Sequence, residues 1–190
     1  MAEHDNNTDG AAPEAAAGNT APAAAVLAQY VKDLSFENPN AAQTLQKLAQ
    51  ATPESRPTMN VTVNVGARRL GEEAFEVDLK ITASAMIGED TAYAVELVYS
   101  GIFGARNLPD NILEPFLLVQ APNILFPFAR RIVADAVRDG GFAPLMLDPI
   151  DFAALYQQQR GQKAQQGAAP EQSGAATLGT IDLGEPQGNA

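Results

Sequence analysis

The 190-residue sequence has no cysteine, no tryptophan and a single histidine. Without cysteine there is no disulfide framework and no thiolate metal site. A Ser-His or Cys-His arrangement needs a histidine beside the nucleophile, and His4 stands alone in a stretch of Ala, Gly and Asn. Basic residues are scarce, 12 Lys and Arg against 23 Asp and Glu, for a formal net charge of −11. The longest basic runs are the pairs Arg68-Arg69 and Arg130-Arg131, far short of the stripe a nucleic-acid binder carries. No uninterrupted apolar run approaches the length of a membrane span. Met1-Ala2-Glu3-His4-Asp5 lacks the basic start of a signal peptide. The expectation is a soluble, cytoplasmic protein that neither binds nucleic acid nor inserts into a membrane.

The remaining chemistry-bearing patterns also have plain readings. Glu72-Glu73 flank a turn, Glu76 and Asp78 read as the solvated face of an alternating strand, and Glu89-Asp90 is a turn pair. None has the spacing of a metal site or calcium loop. Gly101-Ile102-Phe103-Gly104 has no lysine behind it and does not make a phosphate cradle. No catalytic group, metal or cofactor is expected, and a binding module is favoured over an enzyme.

Acidic charge is spread along the chain. Residues 1–29 hold four acids and no Lys or Arg, and 30–160 still hold 16 acids against 11 bases. Such a balance favours solubility and attraction to basic partners. Residues 1–25 offer no large apolar side chain to anchor a core, so disorder is expected. The same holds for 161–190, where Gly161, Gly167, Pro170, Gly174, Gly179, Gly184 and Pro186 interrupt any pattern. One domain is expected between them, over 26–160.

Within that domain the first element covers 26–37. Leu34 and Phe36 fall on one face of a strand, and Asp33, Ser35 and Glu37 on the other. Asn38-Pro39-Asn40 stops it, and 41–50 reads as a short helix or compact crossover. Period-two signals then predict three strands, with Met59, Val61, Val63 and Val65 on the apolar face of the first. Phe75, Val77, Leu79 and Ile81 mark the second, and Tyr93, Val95, Leu97 and Tyr99 the third. Gly71 and Gly88-Glu89-Asp90 supply the hairpin turns. An apolar segment over 109–120 leads into a helix near Pro122, with Leu125, Phe128, Ala129, Ile132 and Ala136 as its stripe. Pro127 predicts a kink, and Gly140-Gly141 the end. A last helix is expected with Asp148 as N-cap, carrying Phe152, Leu155 and Tyr156 and stopping by Gly161.

The fold expected is α+β: a four-stranded antiparallel sheet with C-terminal helices packed on one face. The helix over 122–139 also carries Ile124, Val133 and Val137 off its stripe. Apolar residues on more than one side point to burial on more than one side, hence to self-association.

Two stretches are more specific than any period. Tyr30-Val31-Lys32-Asp33-Leu34-Ser35-Phe36-Glu37-Asn38-Pro39-Asn40 and Ala121-Pro122-Asn123-Ile124-Leu125-Phe126-Pro127-Phe128-Ala129-Arg130 resemble the hallmark segments of SecB, a bacterial protein-export chaperone family. Gly101-Ile102-Phe103 and Asp148-Pro149-Ile150-Asp151-Phe152 stand in the family's order. The resemblance implies a homotetramer, a dimer of dimers, in which the sheets of two subunits pair. Ile124, Leu125, Phe128 and Ile132 are then expected at the tetramer interface. It also implies a chaperone that binds unfolded preproteins and delivers them to the SecA motor, whose basic zinc-binding tail docks on acidic sheet surface. Asp33, Glu37, Ile87 and Glu89 match the family's docking positions. A client-binding groove between crossover and last helix would draw on Leu45, Leu48, Phe152, Leu155 and Tyr156. The family crossover often carries a larger aromatic residue where this chain has Leu48-Ala49. The alternative within the family is a SecB-like chaperone dedicated to one partner, such as an antitoxin. A small-ligand carrier or enzyme on the same scaffold would need a closed pocket with convergent polar groups.

Overall fold

The hairpins are built where the turn residues stand. The computed structural model describes residues 21–50, 56–166 and 177–182. Strand β2 (Thr58–Arg69) pairs antiparallel with β3 (Ala74–Ile87) through the tight turn at 70–73, where the Leu70 amide donates to the Ala74 carbonyl at 2.8 Å. Gly88 and Glu89 then form a two-residue loop into β4 (Asp90–Arg106), with Ile87 opposite Asp90. Gly88 has φ of 62°, a conformation that favours glycine in such a hairpin. Strand β1 (Ala23–Glu37) runs antiparallel to β4, after which helix α1 (Ala41–Ala49) begins the crossover to β2. The first four strands lie in the order β1-β4-β3-β2, the four-stranded antiparallel sheet expected, with β1 placed on the β4 edge.

A fifth strand joins them. Residues Thr177–Asp182, in the stretch expected to lack order, form β5 on the outer edge of β2. No period foretold it, because a six-residue strand held by backbone pairing needs little pattern of its own. The predicted first strand is also longer than its apolar part, starting at Ala23. Residues 1–20, where most of the N-terminal tail falls, lie outside the described residues, as do 167–176 and 183–190.

One sheet face is covered by helix. Helix α2 (Asp110–Pro115) passes through a π-helical segment (Phe116–Gln120) into α3 (Ala121–Asp139), giving one continuous helical stretch. The π turn has a local cause. Pro122 has no N–H for the Leu118 carbonyl, and next to it the Asn123 side chain donates to the Val119 carbonyl at 2.9 Å. The helix continues through Pro127 to Gly140. By length and composition this stretch could cross a membrane, yet half of its most apolar window is buried within the subunit.

Leu125, Ala129, Val133 and Val137 are fully buried on the sheet side of α3, with Phe75, Leu79, Ile81, Leu97 and Phe103 among their buried companions from the sheet. Burying each large side chain contributes about 1.5–3 kcal/mol. Val133 and Val137, off the predicted stripe, are thus core, while Phe128 of that stripe faces outward. Helix α4 (Phe152–Gln166) is capped three residues later than the expected Asp148. Asp151 is its cap, accepting from the Ala154 amide at 2.9 Å. The helix also passes through Gly161, whose exposed position meets no neighbour.

Candidate functional site

The uncovered face of the sheet carries the charge. Register places Glu76 and Asp78 of β3, Arg68 of β2, and Glu96 and Ser100 of β4 on this face, with Asp33, Ser35 and Glu37 at its β1 edge. Asp33 lies opposite Val98, and Glu37 opposite Ala94. The interior of the face is charge-paired. Lys32 reaches Glu76 at 2.9 Å and Asp78 at 2.7 Å, and Lys80 reaches Glu96 at 2.8 Å. Asp78 also accepts from the Ser100 hydroxyl at 2.6 Å.

Glu76 is the centre of this network. It accepts from the Tyr30 hydroxyl, the Lys32 ammonium and the Arg68 Nε. With 3% exposure it is the one buried charged residue among the described residues. Burial acts to raise its pKa, but the bonds from Arg68, Tyr30 and Lys32 outweigh that and hold it at about 2. The same bond to Glu76 raises the Tyr30 pKa. Burial works against the Lys32 ammonium, yet Asp78 and Glu76 raise its pKa. Alternation read Glu76 as solvated. The usable signal was the hairpin register, which counts Arg68 opposite Glu76 across the Gly71 turn, an opposite-charge pair.

Asp33 and Glu37 differ from that interior. Both are exposed, and neither has an ion-pair partner among the described residues. Glu89 is exposed in the β3–β4 loop, at the same sheet end as Glu37. Ile87 is placed otherwise. At 4% exposure it continues the buried face of β3, so the apolar docking contact expected there is core in the subunit. Lys47 of α1 forms an ion pair with Asp90, fastening the crossover to this loop.

The outer side of α3 is apolar. Ile124 and Phe128 are 38% and 44% exposed, and Ile132 is half-buried beside them. Phe128 stacks on Tyr99 with ring centroids 6.2 Å apart. Leu125, expected at the same interface, is fully buried against the sheet instead. Edge strand β1 adds exposed Val26, Leu27, Val31 and Leu34.

The expected groove residues are divided between the two ends of α3. Leu45 lies near Gly141, just past the helix C-terminus, and half-buried Leu48 packs on the core from the same helix α1. Phe152 packs edge-on against Phe126, 6.1 Å between centroids. From Phe126 to Gly141 the helix rises about 22 Å, so crossover and last helix do not face each other across one subunit's cleft. The segment 142–151 leads from one end of α3 to the other. A hollow of about 690 Å³ does open beside Tyr156, lined by Ile112, Pro115, Phe116, Val119 and Arg160 among others. The Arg160 guanidinium stands 5.6 Å from the Tyr156 ring. Phe152, Leu155 and Tyr156 share the helix α4 that borders this hollow, but only Tyr156 of the three lines it.

No group of three or more His, Cys, Asp or Glu side chains among the described residues is arranged to hold a metal ion. The arrangement presents an acidic sheet edge and separate apolar surfaces, a binding architecture. A family model, "Preprotein translocase subunit SecB", matches residues 17–163. The chain belongs to the SecB family. It is 53% identical over 147 residues to the protein-export protein SecB of Xanthobacter autotrophicus, covering 77% of this chain and 91% of that one. It is 56% identical over 142 residues to that of Rhizorhabdus wittichii, covering 75% and 82%. A solved structure, a SecB-like chaperone of Mycobacterium tuberculosis in complex with an antitoxin peptide, matches with TM-score 0.54 and 13% identity, over 67% of this chain and 90% of that one. That last likeness shows the α+β fold. SecB relatives at about half identity supply the family's export assignment.

Proposed function

We propose that this SecB family chain is an export chaperone of the Sec pathway that holds unfolded precursors translocation-competent and hands them to the SecA motor. It works in the cytoplasm as a homotetramer and catalyses no reaction. The observation that carries this reading is family membership across 17–163, with relatives named for protein export at about half identity. The geometry supports each part. Asp33, Glu37 and Glu89 offer exposed carboxylates to a basic tail. The exposed Ile124 and Phe128 and the apolar residues of edge strand β1 suit self-association.

Holding a client needs no reaction. An unfolded chain exposes apolar side chains, and burying them contributes roughly 25 cal/mol per Å² before ordering costs. Several weak contacts to one client add through effective concentration. The hollow beside Tyr156 is one such contact, sized for large apolar side chains. A dedicated antitoxin chaperone is not favoured, because the antitoxin-bound neighbour shares only 13% identity while the export relatives share about half.

The test is binding of the purified protein to a denatured, slow-folding precursor, with the same precursor folded as control. Binding to the unfolded form alone is expected. Equal binding to both, or to neither, would remove the general holding activity.

A further inference from the structure

Helix α4 packs against the π-helical segment, and its spacing sets what it turns toward it. Ala153, Tyr156, Gln157 and Arg160 recur about one turn apart and share one face of α4. Pro115, Phe116 and Val119 stand on the facing element. The hollow of about 690 Å³ opens between these two faces, in the size range of sites that take a compact ligand or a bulky side chain. Its lining is mostly apolar, and apart from Arg160 and the Tyr156 ring its polar side chains are neutral amides.

Arg160 is the one charged residue lining the hollow among the described residues. It is exposed, and its guanidinium carbon stands 5.6 Å from the centre of the Tyr156 ring. That cation–π contact holds the charge at the rim. No carboxylate among the described residues forms an ion pair with it. Burial, then Glu114, raises the Tyr156 pKa, and Arg160 opposes them. Glu114 itself does not line the hollow. The site therefore runs against the rest of the chain, whose 23 acids against 12 bases attract basic partners. An arginine fork without a partner, beside an apolar hollow, attracts a carboxylate.

We propose that Arg160 makes the hollow beside Tyr156 selective for unfolded segments in which an acidic residue stands two positions from a large apolar one. The inference rests on the reading of this chain as a holder of unfolded clients and assigns one determinant of which segments it holds. The apolar side chain fills the hollow against Phe116, Val119 and Tyr156, and the carboxylate accepts from the Arg160 guanidinium. Side chains two residues apart in an extended segment stand about 7 Å from each other on one face. That is close to the 5.6 Å between guanidinium and ring, so one short segment meets both. Acidic segments are those that the overall charge of the chain repels, and Arg160 extends the client range to them.

The test uses three short fluorescent peptides with the same central Phe and with Glu, Gln or Lys two positions to either side. Each is titrated against the full unaltered chain and against Arg160→Gln and Arg160→Glu. The unaltered chain is expected to bind the Glu peptide about 3–10-fold more tightly than the Lys peptide, and added salt should shrink the difference. Arg160→Gln should bring the two within about twofold. Arg160→Glu should reverse their order, which a merely structural role for Arg160 would not do. Tyr156→Ala should weaken all three peptides, and a denatured precursor should displace the Glu peptide. Equal binding or a Lys preference in the unaltered chain overturns the inference, as does an order that both Arg160 variants leave unchanged. Peptides that do not bind, or that bind regardless of Tyr156→Ala, overturn it as well. A Glu peptide that the precursor cannot displace gives the hollow to a dedicated acidic partner and overturns it too. In all of these cases, binding of the denatured precursor leaves the chaperone reading intact. Failure of the unaltered chain to bind that precursor defeats the export reading itself, and the inference with it.

Discussion

Arg68 and Glu76 stand directly opposite each other on β2 and β3, and the Arg68 Nε donates to a Glu76 carboxylate that the sheet face has almost closed over. Tyr30 and Lys32 of edge strand β1 reach the same carboxylate from the other side. One acid therefore ties three strands together across the face that bears Asp33 and Glu37.

Glu76→Gln should destabilise the subunit by about 1–3 kcal/mol at pH 7, since it leaves Arg68 and Lys32 without their shared anion. The folded pKa, about 2, lies below the ordinary 4.5. A depressed carboxylate contributes stability that is fully present above about pH 4.5 and lost as pH falls toward 2. Urea unfolding at pH 7 and pH 3 checks this: the difference between wild type and Gln variant should shrink at the lower pH.

Gly140 closes α3 against the end of β1. A Cβ there would collide with the Phe36 ring, which stacks on Tyr93 at 5.7 Å. Gly140→Ala should therefore push Phe36 off its partner and cost about 1–3 kcal/mol. A Phe36→Leu change in the same chain should recover part of that loss, read as the thermal midpoint.

The two sides of α3 should separate in solution. Phe128→Ala with Ile132→Ala removes outward apolar surface and is expected to lower the oligomer mass in sedimentation while the subunit stays folded. Leu125→Ala removes a fully buried side chain and should cost about 2–5 kcal/mol in subunit stability.

Asp33→Asn with Glu37→Gln should weaken binding of the basic motor tail about tenfold at low salt and flatten its salt dependence, because screening acts on exposed charges. Calorimetric titration at two ionic strengths reads both effects. Affinity for unfolded precursor should not move.

Tyr156→Ala should weaken precursor binding by severalfold with the oligomer intact, since it removes a wall of the hollow beside the π-helical segment. Leu48→Ala, at the other end of α3, should give a separate decrement. Because the two residues share no cleft, the losses should add within about 0.5 kcal/mol in the double variant.

Legibility followed the range of the interaction. Val61, Val63 and Val65 of β2 and their counterparts on β3 and β4 repeat every second residue, so the strands, the turns and the β2-β3-β4 meander could be read locally, while the pairing of β1 with β4 could not. Asp33 and Glu37, proposed for docking, stand in the hallmark segment, and their shared face was legible through strand alternation. Helical phase was harder. The predicted stripe held Phe128 and left Val133 off, and contact with the sheet put Val133 inside and Phe128 outside. Asp148 was read as the cap, and the amide of Ala154 bonds to Asp151 instead.

The amino-acid sequence by itself determined the strands and turns, the α+β class, the acidic balance and the family, because these rest on period, turn chemistry and short distinctive segments. Tertiary structure alone decided that Glu76 is buried in a three-strand charge network, that Ile87 belongs to the core, and that Leu48 and Tyr156 lie apart. It also decided that the stretch 177–182 lies along β2. Each of these depends on which distant residues meet, and a residue's own neighbours in the chain carry no record of that.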